Sequence, residues 1–243
     1  MGNKVATTDI LVENEMFNFA SPKDAEFLQR FFKTGPGQYG QGDKFLGIRN
    51  PQTRSVAKKY YKIISNEEIE KLLHSEWHEI RLCALVIMTL IFDKADSNRQ
   101  KQLYNIYLKN ISKYINNWDL VDLSAPNIAG AYLTNKNRSD LYTLAKGDLW
   151  QKRVSILATF TFIRQKDFFD AIKISEILMY EKHDLLHKAV GWMLREIGKR
   201  DEDVLKHLLN ECSSTMPRTT LRYSIEKLPP ELRQYYLSLK NKY

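Results

Sequence analysis

One unit recurs along this chain, and its spacing narrows the available folds more than any other feature. EIRLCAL at 79–85, QKRVSIL at 151–157, LHKAVGW at 186–192 and LRYSIEK at 221–227 each set a cation at the head of an apolar helical stretch. Those cations are Arg81, Arg153, Lys188 and Arg222, at intervals of 72, 35 and 34 residues, and the first interval leaves a slot for one more unit at 117–123. A helix pair of this length cannot bury its apolar stripe alone and does so against its neighbours. The recurrence predicts an all-α chain: an α-solenoid of stacked antiparallel helix pairs, with one helix of each pair lining a concave face.

Local signals agree. No convincing strand alternation occurs, and glycine and proline sit at boundaries. Ser21-Pro22 opens a helix running to about 33, and Asn50-Pro51 opens another. Between them, 34–47 is the one long irregular stretch. Ser65 with Glu68 three residues on predicts a capping box for a third helix. Further helices are predicted over 77–92, 97–110, 117–133, 138–146, 149–163, 167–180, 184–199, 202–210, 217–228 and 230–240. The organisation expected is a segment 1–20 without an assigned role, followed by a single domain over 21–243.

Composition removes several classes of function. No apolar run approaches the roughly 18–20 residues that span a bilayer. The first twenty residues carry acids and no continuous apolar stretch, so they do not read as a secretory signal. Their Met-Gly-Asn start matches a myristoylation site poorly. A cytoplasmic location is the expectation. The only cysteines, Cys83 and Cys212, form no CxxC, which argues against a zinc ribbon or a redox dithiol; both are expected reduced, with Cys83 in the core. The net charge of +8 and pI near 9.3 favour a polyanionic partner. If the recurring cations share the concave face, they form a basic groove that fits a phosphate backbone. Taken singly, each also fits a solvated helix start.

Chemistry concentrates in Asn117-Trp118-Asp119-Leu120-Val121-Asp122. Trp118 and Asp122 lie four apart and share one helix face, whereas Leu120, Val121 and Leu123 point into the core. Asp119 reads as a first-turn acid favoured by the helix dipole. Asp122 falls a turn later in apolar surroundings and needs a cation or hydrogen-bond donor, for which Arg153 is the candidate. An inter-helix ion pair and a working carboxylate both satisfy that pattern. Trp192, on a lining helix, fits either the core or a sugar or base face. His74/His78 and His183/His187 are spaced four apart, but HDLLH lacks the glutamate of HExxH and no third ligand is evident. No Walker A sequence, GxGxxG or GxSxG is present, so neither metal nor cofactor is expected.

Four ordered segments, KFLGIRNPQTR at 44–54, NWDLVD at 117–122, WQKRVSIL at 150–157 and HKAVGWMLREIGK at 187–199, with MPRTTLRYSIEKL at 216–228 in support, resemble the AlkD-type DNA alkylation-repair glycosylases. The resemblance runs from about 22 to 230. It implies a curved stack of HEAT-like repeats and a monofunctional glycosylase that removes N3- and N7-alkylated purines, such as 3-methyladenine and 7-methylguanine, from duplex DNA without flipping the base. It implies a catalytic role for Asp122, packing of Trp118 and Trp192 on the lesion's deoxyribose, and a phosphate contact for Arg153. Arg49, Arg81, Lys188, Arg218 and Arg222 are the further candidate DNA-binding cations, and the protein would act as a monomer in the cytoplasm, associated with the nucleoid in a prokaryote. Asn117 stands where the family often has a further tryptophan, and Arg49 where glutamine often follows LGI. A non-catalytic solenoid binding damaged or branched DNA is the alternative, and a protein-interaction scaffold the third.

Overall fold

The computed structural model describes residues 6–239. Residues 1–5, which carry the Met-Gly-Asn start, and residues 240–243, where the last helix is expected to end, lie outside the described residues. The helices run α1 Thr8–Asn18, α2 Pro22–Gln29, α3 Asn50–Tyr60, α4 Asn66–Leu73, α5 His78–Phe92, α6 Ser97–Asn110, α7 Trp118–Ser124, α8 Ala131–Leu133, α9 Ser139–Leu144, α10 Leu149–Ala158, α11 Phe160–Arg164, α12 Phe169–Leu178, α13 Asp184–Gly198, α14 Glu202–Cys212, α15 Arg218–Ser224 and α16 Pro230–Ser238. A π-helical turn, Pro126–Gly130, leads into α8. No strand occurs among the described residues, so the all-α class holds, and no described helix is long and apolar enough to cross a membrane.

Short polar side chains set the helix starts. Ser21 accepts from the Asp24 N–H, Asp96 from Arg99 and Asp201 from Val204. The Ser65/Glu68 box forms as expected: Ser65 Oγ accepts from the Glu68 N–H at 3.2 Å and Glu68 returns the bond to the Ser65 N–H at 2.8 Å. Asp148 and Gln151 build a second box at α10.

The described residues form two compact units, one up to Ser124 and one from Ala125 onward. In the first, α3, α5 and α7 pack in succession, with α4 and α6 forming the other layer. α5 is apolar on nearly every face and is buried along most of its length. α1 belongs to this unit and lays Val12 and Met16, both fully buried, against α3 and α4. In the second unit α10, α13 and α15 pack in succession, with α12 and α14 alongside. The recurring cations thus fall on helices of matching rank: Arg81 on α5, Arg153 on α10, Lys188 on α13 and Arg222 on α15.

Two expected helices are broken. The one over 117–133 divides because Pro126 has no N–H to continue the ladder. The chain widens instead: the Gly130 N–H reaches the Ala125 carbonyl at 2.9 Å, and the Pro126 carbonyl accepts from Thr161 Oγ1 at 2.6 Å. The helix over 149–163 is interrupted at Thr159, which separates α10 from α11.

The loop 34–47 is fixed at its end by a buried carboxylate. Glu79, 3 % exposed, accepts the backbone N–H groups of Leu46, Gly47 and Ile48 at 2.9, 2.8 and 3.2 Å. Gly47 has φ +81°, and a Cβ there would sit 2.1 Å from the Ser21 carbonyl oxygen. Gly47→Ala is therefore expected to lower unfolding free energy by about 3 kcal/mol or more, read from urea denaturation.

Candidate functional site

α7 is seven residues long, too short to hold its shape unaided. Its first turn is held through side chains. Asn117, fully buried, accepts the Trp118 N–H on Oδ1 at 2.9 Å and donates from Nδ2 to Asp43 Oδ2 at 2.7 Å. Asp119 accepts the Leu120 N–H on Oδ1 at 2.9 Å, and its Oδ2 lies 2.8 Å from His78 Nε2. His78 Nδ1 faces Asp43 Oδ2 at 3.2 Å. Arg81 donates to Asp43 Oδ1 at 2.5 Å and to the Ser75 carbonyl at 3.1 Å. At the far end of α7, Ser124 Oγ donates to the Leu120 carbonyl and accepts from the buried Tyr107 hydroxyl at 3.0 Å.

The protonation states follow from this arrangement. Burial disfavours a charged His78 ring, but the Asp119 carboxylate and the hydrogen bonds to Asp119 and Asp43 raise its pKa to about 9. Burial works against the Asp43 carboxylate, yet the His78 hydrogen bond and the Arg81 charge hold it below the usual range. The Tyr107 hydroxyl is pushed up, by burial first and by the charge of Asp122 in addition. Asp119 is thus more than a dipole-favoured acid, and His78, discounted as a ligand, sits at the centre of a buried ionic cluster.

An aromatic cleft of about 280 Å³ lies over that cluster, lined among others by Phe31, Phe32, Phe45, His78, Trp118 and Asp119, with Arg49 also on its wall. The Phe32 ring stacks on Trp118 at 5.3 Å and 18°, and Phe45 stacks on His78 at 4.8 Å and 25°. Asp122, one turn beyond Trp118, is half-buried.

In the second unit Trp192 is half-buried on α13, with Phe160 at 6.0 Å. The Arg164 guanidinium lies 4.1 Å over that Phe160 ring and Arg200 at 5.6 Å. This group escaped the sequence reading, although the i, i+4 spacing of Phe160 and Arg164 carries part of the signal.

The expected cations meet different fates. Arg81 is 4 % exposed and committed to Asp43 and the Ser75 carbonyl, so it is a structural residue and not an open phosphate contact. Arg153, also 4 % exposed, donates to the Leu185 carbonyl. Lys188 is half-buried and paired with Asp184 at 2.6 Å. Arg218 caps α16 through the Leu237 carbonyl at 2.9 Å. Arg49 is exposed beside Asp24 at 3.0 Å, and Arg222 is exposed. Sequence phase predicted a shared row; burial divides it, because a cation near an inner-helix start also reaches carbonyls of neighbouring segments.

Comparison with known proteins adds an independent finding. A family model described as DNA alkylation repair enzyme matches residues 12–228. A solved structure described as a "Predicted DNA alkylation repair enzyme from Enterococcus faecalis" is similar with a TM-score of 0.68 at 16 % identity, covering 87 % of this chain and 97 % of that one. No curated protein matches.

Removing one partner of a buried pair leaves an uncompensated charge. Arg81→Gln is expected to lower unfolding free energy by about 3 kcal/mol in urea at pH 7.5. Arg222→Gln leaves the same midpoint unchanged.

Proposed function

This chain belongs to the family of DNA alkylation repair enzymes, and from that membership we propose that it is a monofunctional DNA glycosylase acting on N3- and N7-alkylated purines in duplex DNA. The observation that carries the proposal is a half-buried aspartate, Asp122, one turn after a half-buried tryptophan on a short helix held at both ends.

Alkylation at N7 or N3 makes a purine cationic, so the base leaves with little need of protonation. As the bond from C1′ to the base nitrogen breaks, its electron pair leaves with the base, which becomes neutral, and positive charge develops on the sugar. Water then adds to C1′ and loses a proton. A fixed carboxylate stabilises that oxocarbenium-like state and orients the water. At about 4 Å and an effective dielectric near 20 the attraction is about 4 kcal/mol, or roughly a thousandfold in rate. Trp118 would pack on the deoxyribose, adding about 0.5–2 kcal/mol through its ring face. The reacting atom belongs to the sugar and is reachable from a groove, so the base need not be flipped, unlike enzymes that act on a base atom.

Arg49, Lys188, Arg218 and Arg222 are the cations proposed to meet DNA phosphates; Arg153, buried like Arg81 and donating to the Leu185 carbonyl, is not an open contact. Arg222 and Arg49 are the exposed pair; Lys188 would exchange Asp184 for phosphate. The protein would act as a monomer on duplex DNA in the cytoplasm.

Two measurements test this reading. Purified protein should release 7-methylguanine from methylated duplex DNA, and Asp122→Asn should slow single-turnover release about a thousandfold with duplex affinity retained. Undiminished release in Asp122→Asn removes that residue from the mechanism; tight binding to branched DNA with no release favours the non-catalytic alternative. Separately, Arg222→Ala should flatten the dependence of log affinity on log salt by about one, whereas an interaction scaffold would show no such dependence.

A further inference from the structure

The residues flanking Trp118 close a circuit. Asn117 donates to Asp43, Asp43 faces His78, and His78 faces Asp119 on the other side of Trp118. The circuit ties the loop 34–47, α5 and the first turn of α7 together, with the Phe32 ring against both His78 (4.9 Å) and Trp118 (5.3 Å). A neutral imidazole has one donor and one acceptor, whereas two carboxylates each require a donor. The contacts are satisfied only by the ring carrying both protons.

We infer that His78 is a positioning residue: as an imidazolium it closes the circuit through Asp43, Asn117 and Asp119 that holds the Trp118 indole, and with it the start of the helix bearing Asp122. The circuit also gives Asn117 a task at the position where the resembled family often has a second tryptophan. The consequence for base release rests on the function proposed above; the circuit itself does not.

The charged groups around the ring favour this state. The loop contributes Asp43 and α7 contributes Asp119. On its own helix, Arg81 is engaged with Asp43, and Glu79 with the backbone of 46–48. Arg49, preceding α3, lines the same cleft but pairs with Asp24. The ring is 2 % exposed, and its pKa stands near 9 against the ordinary 6.5. Because the folded value is the higher one, the stabilisation is complete below about pH 6.5 and is lost as pH rises through about 9.

Full-length protein labelled with ¹⁵N and titrated from about pH 6.5 to 10.5 tests the inference by NMR. Both His78 ring nitrogens should be protonated at pH 7.5, and the Trp118 indole N–H should shift in the same transition near pH 9. Asp119→Asn, which keeps a hydrogen-bonding oxygen but not the charge, should move that transition at least about one pH unit lower. On methylated duplex, His78→Gln should slow single-turnover release about tenfold or more with affinity within about threefold, and Asp119→Asn should move the alkaline limb of the rate by the same interval as the NMR transition. A singly protonated ring at pH 7.5 overturns the inference, as does a Trp118 signal that stays fixed while His78 titrates. Wild-type protein that releases no base sinks the glycosylase reading, and the titration still decides the role of His78.

Discussion

The Asp43 carboxylate, brought in by an irregular loop, is shared by Arg81, His78 and Asn117, and the geometry of α7 depends on that joint. Isolated helices of this length are unstable in water, so the segment must borrow order from its neighbours. Apolar contacts from Leu120 and Val121, both fully buried, supply part of it. They leave the rotation of the first turn loosely specified, since one greasy contact resembles another. Hydrogen-bonded charges do not have that latitude. A buried ionic cluster is weak as a source of net stability, and its use here is registry: it fixes which way the indole of Trp118 faces.

That rigidity suits the chemistry proposed. A carboxylate stabilises a developing cation most when it is already in place and does not have to turn when charge appears. The π-helical turn after α7 works in the same direction. Pro126 stops the ladder, Gly130 lets the turn approach α10 closely enough that a Cβ would lie 2.3 Å from the Ala158 carbonyl oxygen, and Thr161 takes the freed Pro126 carbonyl. The helix bearing Asp122 therefore ends abruptly, with its last residue, Ser124, tied to Tyr107.

Much of this architecture is legible in the sequence. Caps at Ser21 and Ser65 announce helices locally, and the 35-residue phase of the cations identifies helices that do pack in succession within each unit. What stays hidden depends on distance. Glu79 and His78 reach partners 31 to 41 residues away, so neither the anchoring of 46–48 nor the charged state of His78 leaves a local trace. Arg81 and Arg222 occupy matching positions in the pattern, yet one is buried and the other exposed, because residue type carries no record of burial. α1 carries too little helical patterning to be recognised before its packing on α3 and α4 is seen.

In the mechanism proposed, an acidic side chain stabilises charge on the sugar while the lesion provides its own leaving-group activation. Selectivity should then follow the charge of the departing base and not its shape. The direct measurement compares single-turnover excision of 7-methylguanine, which is cationic, with that of hypoxanthine, a neutral purine, in the same duplex context. Excision of the methylated base is expected with none detectable for hypoxanthine; comparable rates for the two would contradict the proposed mechanism.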